Sequence, residues 1–138
     1  MQRFGALEVA MRQNDLAFEV QEYLKTHPCA AVVNLGCGLD NTGRACDNGR
    51  CKIYNLDFPD VLPCGSSCCP PGAGAKTYPL RPERPRMVWQ NRCLRRAVFF
   101  ASGVFYYFLT QQVRELVQGW QMLSPAGFWS LMRPIGQR

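Results

Sequence analysis

Residues 30–40 read AAVVNLGCGLD, a short apolar run that leads directly into a turn with two glycines. A run of this length and composition is typical of a strand buried in a parallel sheet. Glycines placed directly after such a strand let the backbone turn tightly and pass close to a ligand. The stretch therefore predicts a buried strand over Ala30–Leu35 and a candidate ligand-binding turn over Gly36–Asp40.

The segments around this stretch predict alternating helices and strands. Upstream, apolar residues recur on one face of a helix that Pro28 ends, namely Leu16, Val20, Tyr23 and Leu24. Downstream, Lys52–Leu56 and Ala97–Ala101 are two further strand candidates. An amphipathic helix follows them, with Thr110 as its expected N-cap and Val113, Leu116, Val117 and Trp120 on its apolar face. This order predicts an α/β fold with a parallel sheet.

Asp57 follows the second predicted strand and lies 19 residues beyond Gly38. A carboxylate at the end of that strand can accept hydrogen bonds from both hydroxyls of a ribose, and the spacing is close to that of dinucleotide-binding folds. A full dinucleotide fingerprint needs a third glycine where Asn41 stands, so a ligand without a pyrophosphate, such as S-adenosylmethionine, fits better. An ordinary glycine turn with a surface aspartate is an equal alternative on spacing alone.

Composition and charge exclude several classes of protein. The 138 residues are 47% hydrophobic, enough for one packed domain, and the eight cysteines are too few for a small disulfide scaffold. The start of the chain has no secretory pattern, and the longest uncharged apolar stretch, Ala97–Leu109, is too short to span a bilayer. We therefore expect a cytoplasmic protein with reduced thiols and no membrane association.

The net charge of +6 is concentrated in the middle of the chain. Residues 62–96 hold seven Lys or Arg and only one acidic residue, Glu83, together with six of the ten prolines and four of the eight cysteines. No periodicity is visible there, so we expect an irregular, insert-like segment over residues 62–96 and an irregular tail over residues 124–138. We expect the whole chain, residues 1–138, to form a single partial domain that includes these two irregular segments.

Three blocks of the sequence together resemble one enzyme family. Residues 27–40, 54–61 (YNLDFPDV) and 97–107 (AVFFASGVFYY) look like the leucine carboxyl methyltransferase and polyketide O-methyltransferase family. Members of this family are class I enzymes that depend on S-adenosylmethionine. The resemblance covers roughly residues 5–61 and 97–123, and the blocks occur in the family's order. It implies a truncated Rossmann-like methyltransferase sheet and methyl transfer to a carboxylate or hydroxyl of a small-molecule or polyketide-like acceptor.

The resemblance also implies roles for six residues in binding S-adenosylmethionine. Gly36 and Gly38 would line the cofactor, Asp40 would brace the turn, and Asp57 would hold the ribose. Two further residues would complete the site: Arg12 would pair with the methionine carboxylate, and Ser102 stands where the family often has a glutamate near the adenosine. Tyr106 and Tyr107 lie where a substrate could meet the methyl group, although aromatic packing after the strand is the favoured interpretation. No catalytic residue and no metal ligand are assigned.

A frame-shift hypothesis accounts for the two irregular segments. With suitable codons, residues 63–72 read one base earlier give VRELLLPAG, which matches the helix that the family has after its second strand. Residues 76–95 and 124–137 can likewise be shifted into a third and a fifth strand. In the frame as given, only the equivalents of the first, second and fourth strands are expected. Exposed sheet edges and poor solubility would follow.

Two other functions remain open at this stage. Cys64, Cys68, Cys69 and Cys93 could bind zinc, although paired C-x2-C motifs are absent and His27 is the only histidine. The arginine-rich run of residues 81–86 with Trp89 could bind nucleic acid, but basic runs without interleaved aromatic residues are weakly diagnostic, so nucleic acid is disfavoured. A non-functional fragment is the third alternative. The oligomeric state is not predicted.

Overall fold

The computed structural model describes residues 2–68, 75–80, 96–123 and 128–131. Its strands form one five-stranded sheet in the order β3-β2-β1-β4-β5, and every neighbouring pair is parallel. The strands are Ala31–Leu35 (β1), Lys52–Asp57 (β2), Ala75–Pro79 (β3), Ala97–Ala101 (β4) and Phe128–Leu131 (β5). The α/β fold with a parallel sheet is therefore confirmed. The strand order reverses between β1 and β4, which is where open α/β sheets usually bind their ligands.

Four α-helices and one 3-10 turn accompany the sheet in the described ranges. The helices are Gln2–Thr26 (α1), Thr42–Ala45 (α2), Leu62–Cys68 (α3) and Thr110–Leu123 (α4), and the 3-10 turn is Val104–Tyr107. The N-cap prediction for Thr110 is wrong by one residue. The carbonyl of Leu109 already accepts a hydrogen bond from the Val113 N–H, and the Gln112 side chain accepts one from the Leu109 N–H at 2.9 Å. Gln112, at the third helical position, thus accepts the backbone N–H of the cap residue Leu109, which is one half of a capping box.

β1 lies between two apolar layers, which explains why all five of its residues are buried. Val33 and Leu35 belong to a core with α4, in which Trp120 stacks on Phe99 with ring centroids 5.6 Å apart. Val32 belongs to a second core on the opposite face, where α1 contributes Leu16, Val20 and Leu24. A strand covered on both faces needs apolar residues at every position rather than at alternate ones. This requirement explains the uninterrupted run in the sequence.

The expectation of irregular structure over residues 62–96 is wrong for part of that segment. α3 covers Leu62–Cys68, and β3 pairs with β2 from Ala75 to Pro79. β3 borders only one strand, and its side chains are half-buried or exposed, so it does not need the apolar run by which a central strand is recognised. The other residues of the segment lie outside the described ranges.

The expectation that the third and fifth strands are missing is also wrong. β5 pairs with β4 over Phe128–Leu131, inside the tail expected to be irregular. With β3 and β5 in place, β2 and β4 both have neighbours on each side, so the argument for poor solubility from their exposed edges no longer holds. β5 was missed because four residues are too few to show a strand period.

Candidate functional site

The carboxyl ends of β1, β2 and β4 meet at one edge of the sheet and form an open cleft of about 700 Å³. This volume is within the usual range for small-molecule and cofactor sites. All six residues predicted to bind a cofactor line this one cleft: Arg12, Gly36, Gly38, Asp40, Asp57 and Ser102. The fold therefore brings together residues that are up to 90 positions apart in the sequence.

The two glycines of the turn after β1 are needed for different physical reasons. Both have positive φ, +68° at Gly36 and +46° at Gly38, a conformation that other residues rarely adopt. A Cβ on Gly36 would lie 2.4 Å from the Cβ of Val104, so the 3-10 turn packs directly against the bare backbone. Among the described residues other than its chain neighbours, a Cβ on Gly38 would meet only a carboxylate oxygen of Asp57, at 3.9 Å. Gly36 thus allows the 3-10 turn to pack against the end of β1, whereas Gly38 leaves space in the cleft.

Asp57 is buried at the base of the cleft and holds the glycine turn. One carboxylate oxygen accepts a hydrogen bond from the Gly38 N–H at 2.5 Å, and the other accepts one from the Phe58 N–H at 2.7 Å. The backbone N–H groups of Gly36 and Cys37 both donate to the carbonyl of Leu56, at 2.7 and 3.2 Å. The turn is therefore tied to the end of β2 before any ligand binds. Each carboxylate oxygen still has a lone pair for a hydroxyl donor.

Asp40, Arg12 and Ser102 border the cleft on three different elements. The Asp40 side chain accepts a hydrogen bond from the Thr42 N–H, which fixes the exit of the glycine turn at the start of α2. Arg12 is half-buried and reaches the cleft from α1. Ser102 follows β4, is half-buried and also lines the cleft. The arrangement places around one space a cation from α1, a carboxylate from the end of β2 and a carboxylate from the loop before α2.

Cys37 lies between the two glycines, and its thiol is protonated and therefore weakly nucleophilic. Burial, with the neighbouring carboxylates of Asp57 and Asp40, raises the pKa of Cys37 from 9.0 to about 12. Only the thiolate is a strong nucleophile, so a protonated Cys37 does not compete for an electrophile held in the cleft.

Sequence reasoning did not identify several residues of the cleft. Gly103 (φ +82°) and Val104 form the wall after β4, and Phe58 stacks on Phe108 with ring centroids 5.5 Å apart. A glycine two residues after a predicted strand, as at Gly103, was the available signal, whereas the position of Phe58 follows only from the tertiary packing. Tyr106 and Tyr107 line the mouth of the cleft and are 87% and 80% exposed. They do not pack in the core, so the favoured interpretation of aromatic packing is wrong for both.

The described part of the chain offers no evidence for the other predicted site classes. Within residues 2–68, 75–80, 96–123 and 128–131, no three His, Cys, Asp or Glu side chains lie close enough to hold a metal ion. Of the cysteines considered for zinc, Cys69 and Cys93 lie outside these ranges, as does the arginine-rich run considered for nucleic acid. None of the described helices is both long and apolar enough for a membrane span.

Comparison with solved structures identifies the fold. A candidate methyltransferase from Thermobifida fusca superposes with a TM-score of 0.68 at 16% identity, covering 94% of this chain and 55% of that one. An O-methyltransferase family protein from Burkholderia thailandensis gives 0.59 at 13% identity, covering 88% and 37%. CalS10 with bound S-adenosylmethionine, an amino pentose methyltransferase from Micromonospora echinaspora, gives 0.56 at 16% identity, covering 86% and 51%.

These similarities define a Rossmann-like fold of the methyltransferase type. The chain spans between about a third and just over half of the length of these three structures. No family model matches the sequence, and no curated protein matches it either. The fold is therefore established by structure, while the activity has to be argued from the site.

Proposed function

We propose that this protein is a methyltransferase that uses S-adenosylmethionine and methylates an oxygen of a small-molecule acceptor. The observation that supports this most is Asp57, a buried carboxylate that faces a cleft and is hydrogen-bonded to the glycine turn. An acid at the end of β2 beside a glycine turn after β1 is the arrangement that holds a ribose in nucleotide-binding α/β folds. The structural likeness to CalS10 with bound S-adenosylmethionine supports the choice of cofactor.

The residues of the cleft fit the chemical groups of this cofactor. Gly38 leaves open space within 3.9 Å of the Asp57 carboxylate, which suits close approach of a sugar whose hydroxyls donate hydrogen bonds. Arg12 supplies a guanidinium, which pairs well with a carboxylate such as that of the methionine part. Phe58 and Val61 supply apolar surface next to Asp57, which suits the face of an adenine.

The protein's own contribution to methyl transfer is binding, orientation and exclusion of competing nucleophiles. When bound, S-adenosylmethionine supplies a methyl group on a positively charged sulfur, and transfer requires the acceptor oxygen in line with that bond. Asp57 and Arg12 would hold opposite ends of the cofactor and so fix the direction in which the methyl group points. The raised pKa of Cys37 keeps its thiol neutral, so the nearest sulfur nucleophile stays unreactive.

The acceptor end of the cleft is where Tyr106 and Tyr107 are exposed. Val9 from α1 and Leu39 from the glycine turn line the same cleft, and both are exposed as well. An apolar rim of this kind suits a largely apolar acceptor. We assign no general base, because a carboxylate acceptor needs none and an alcohol would need a group that the described residues do not single out.

The finer parts of the proposal concern the subfamily and the reading frame. The motifs favour the leucine carboxyl methyltransferase and polyketide O-methyltransferase family, and a frame shift would explain why the resemblance stops at residue 61 and resumes at residue 97. Sequencing the gene tests this directly, and an unaltered read through Cys68-Cys69 and Arg84-Pro85-Arg86 rejects it.

Calorimetric titration with S-adenosylmethionine tests the proposed function. The wild-type chain should bind, and Asp57→Asn should bind at least about tenfold more weakly, since a hydrogen bond to a charged group is worth about 1.5–3 kcal/mol. Asp60→Asn is the matched control, because it makes the same chemical change at an exposed position three residues away. Circular dichroism establishes that each variant is folded. No detectable binding by the folded wild-type chain would refute the proposal.

A further inference from the structure

The turn between α2 and β2 places three consecutive residues, Asp47, Asn48 and Gly49, at the surface. All three are exposed, and they lie at the opposite end of β2 from Asp57. Gly49 has a φ of +72°, and among the described residues other than its chain neighbours no heavy atom lies within 4 Å of the position that its Cβ would occupy. Gly49 therefore has no Cβ that would hinder approach of the Asn48 side chain to the Gly49 nitrogen.

Hydrogen bonds surround the Asn48 side-chain amide in a defined pattern. Its oxygen accepts from the backbone N–H groups of Arg50, at 2.9 Å, and of Cys51, at 2.7 Å. Two converging N–H donors polarise a carbonyl and stabilise negative charge on its oxygen when a nucleophile adds to the carbon. Its nitrogen donates to the carbonyl of Pro28 at 3.0 Å.

The backbone nitrogen of Gly49, which follows Asn48 in the chain, is hydrogen-bonded to the carboxylate of Asp47. The Gly49 N–H donates to an oxygen of Asp47 at 2.8 Å, and the same oxygen lies 3.9 Å from the Cys51 sulfur. A backbone N–H is a poor nucleophile until a base removes its proton. Asp47 is placed to accept that proton, since its oxygen already touches the reacting group.

We propose that Asn48 is a site of self-catalysed deamidation, driven by this arrangement. The Gly49 nitrogen attacks the side-chain carbonyl carbon of Asn48 and transfers its proton to Asp47. The bond from that carbon to the side-chain nitrogen breaks, and the departing nitrogen takes up the proton and leaves as ammonia. The resulting five-membered imide then adds one water at either carbonyl, which yields aspartate or isoaspartate. No redox change occurs, and water is the only co-reactant.

The product changes the local structure in two ways. The hydrogen bond to Pro28 is lost, because a carboxylate oxygen then faces the carbonyl oxygen of Pro28 where an amide donor stood. The isoaspartate product also adds one methylene to the backbone shortly before Lys52, whose N–H donates to Ala30 at 3.2 Å at the start of the β1–β2 pair. Conversion therefore loosens the contact between this turn and the end of α1.

Peptide mapping by mass spectrometry measures the rate at which Asn48 becomes an acid. The intact chain is incubated at neutral pH, once folded and once unfolded in guanidinium. We expect conversion at Asn48 to be at least about tenfold faster in the folded chain, because a positioned base contributes a hundredfold or more. Asn41, which is exposed and precedes Thr42, is the internal control and should convert slowly in both samples.

The variant Asp47→Asn tests the assigned base. It keeps an oxygen that can accept the Gly49 N–H but removes the carboxylate, so the folded rate at Asn48 should fall towards the unfolded rate. If this variant does not fold, the comparison of folded and unfolded wild-type chain still decides. A rate in the folded wild-type chain that equals or lies below the unfolded rate would overturn the proposal, because the hydrogen bonds would then restrain the amide instead of activating it.

Discussion

Substituting each glycine of the β1 turn by alanine separates the structural requirement from the binding requirement. Gly36 and Gly38 are two residues apart, and both have positive φ, so alanine incurs a similar backbone penalty at each. Only at Gly36 does the added methyl meet the body of the protein, at 2.4 Å from the Cβ of Val104. At Gly38 the methyl projects into the cleft beside Asp57. Gly36→Ala should therefore damage the fold, and Gly38→Ala should damage binding.

The expected magnitudes follow from these contacts. A left-handed conformation costs a non-glycine residue about 1–2 kcal/mol, and this applies to both variants. Overpacking a well-filled core adds about 1–3 kcal/mol, and this applies only to Gly36→Ala. The total loss of unfolding free energy is then about 2–5 kcal/mol for Gly36→Ala and about 1–2 kcal/mol for Gly38→Ala. The methyl on Gly38 should weaken binding of S-adenosylmethionine roughly tenfold or more.

Two measurements on the same samples check this difference. Urea denaturation followed by circular dichroism gives the unfolding free energies, and calorimetry gives the dissociation constants. Equal losses of stability in the two variants would refute the assigned contact between Gly36 and Val104. Normal affinity in a folded Gly38→Ala variant would show that the ligand does not approach the turn at Gly38.

Two further predictions concern the cores and the thiols. Trp120→Ala should reduce the unfolding free energy, measured by urea denaturation, by about 3–5 kcal/mol, because it removes the ring stacked on Phe99. Met122 is exposed on the same helix, so the control variant Met122→Ala should change the unfolding free energy by less than about 0.5 kcal/mol. The pKa values of Cys37 and Cys46 rise from 9.0 to about 12, mainly through burial, so between these pH values the unfolded chain releases protons that the folded chain keeps. The free energy of unfolding should therefore fall by about 1.4 kcal/mol per pH unit per thiol above pH 9.0. Replacing both cysteines by alanine should flatten this pH dependence in urea denaturation. An unchanged dependence of the unfolding free energy on pH would contradict the assigned burial of the two thiols.

The central part of the fold could be predicted from the sequence because residues that are buried on both faces of a sheet are apolar at every position. Val32 and Val33 are adjacent and both apolar, since β1 is covered on both faces, and this marks a central parallel strand. β3 and β5 could not be predicted in the same way. β3 is an edge strand with Lys76 and Thr77 in it, so it carries no apolar signal, and β5 is only four residues long.

In the candidate site, too, some residues could be predicted from the sequence and others could not. Asp57 and Gly38 were predictable because a strand, a glycine turn and an acid at a fixed spacing follow from the geometry of neighbouring parallel strands. Their contact at 2.5 Å results from the register of β1 on β2, which pairs Leu35 with Leu56 and so aligns the two strand ends. Val104 and Phe58 were not predicted, because their places in the cleft depend on how the 3-10 turn and α4 pack against the sheet.

The most direct test of the account is whether Asp57 binds a ribose hydroxyl in this cleft. Calorimetry compares 5′-methylthioadenosine with its 2′-deoxy counterpart, on the wild-type chain and on Asp57→Asn. We predict that the wild-type chain loses roughly 10- to 100-fold in affinity when the hydroxyl is removed, whereas Asp57→Asn loses less than about threefold. Equal losses in the two proteins would show that Asp57 does not contact the sugar, and the proposed site would be wrong.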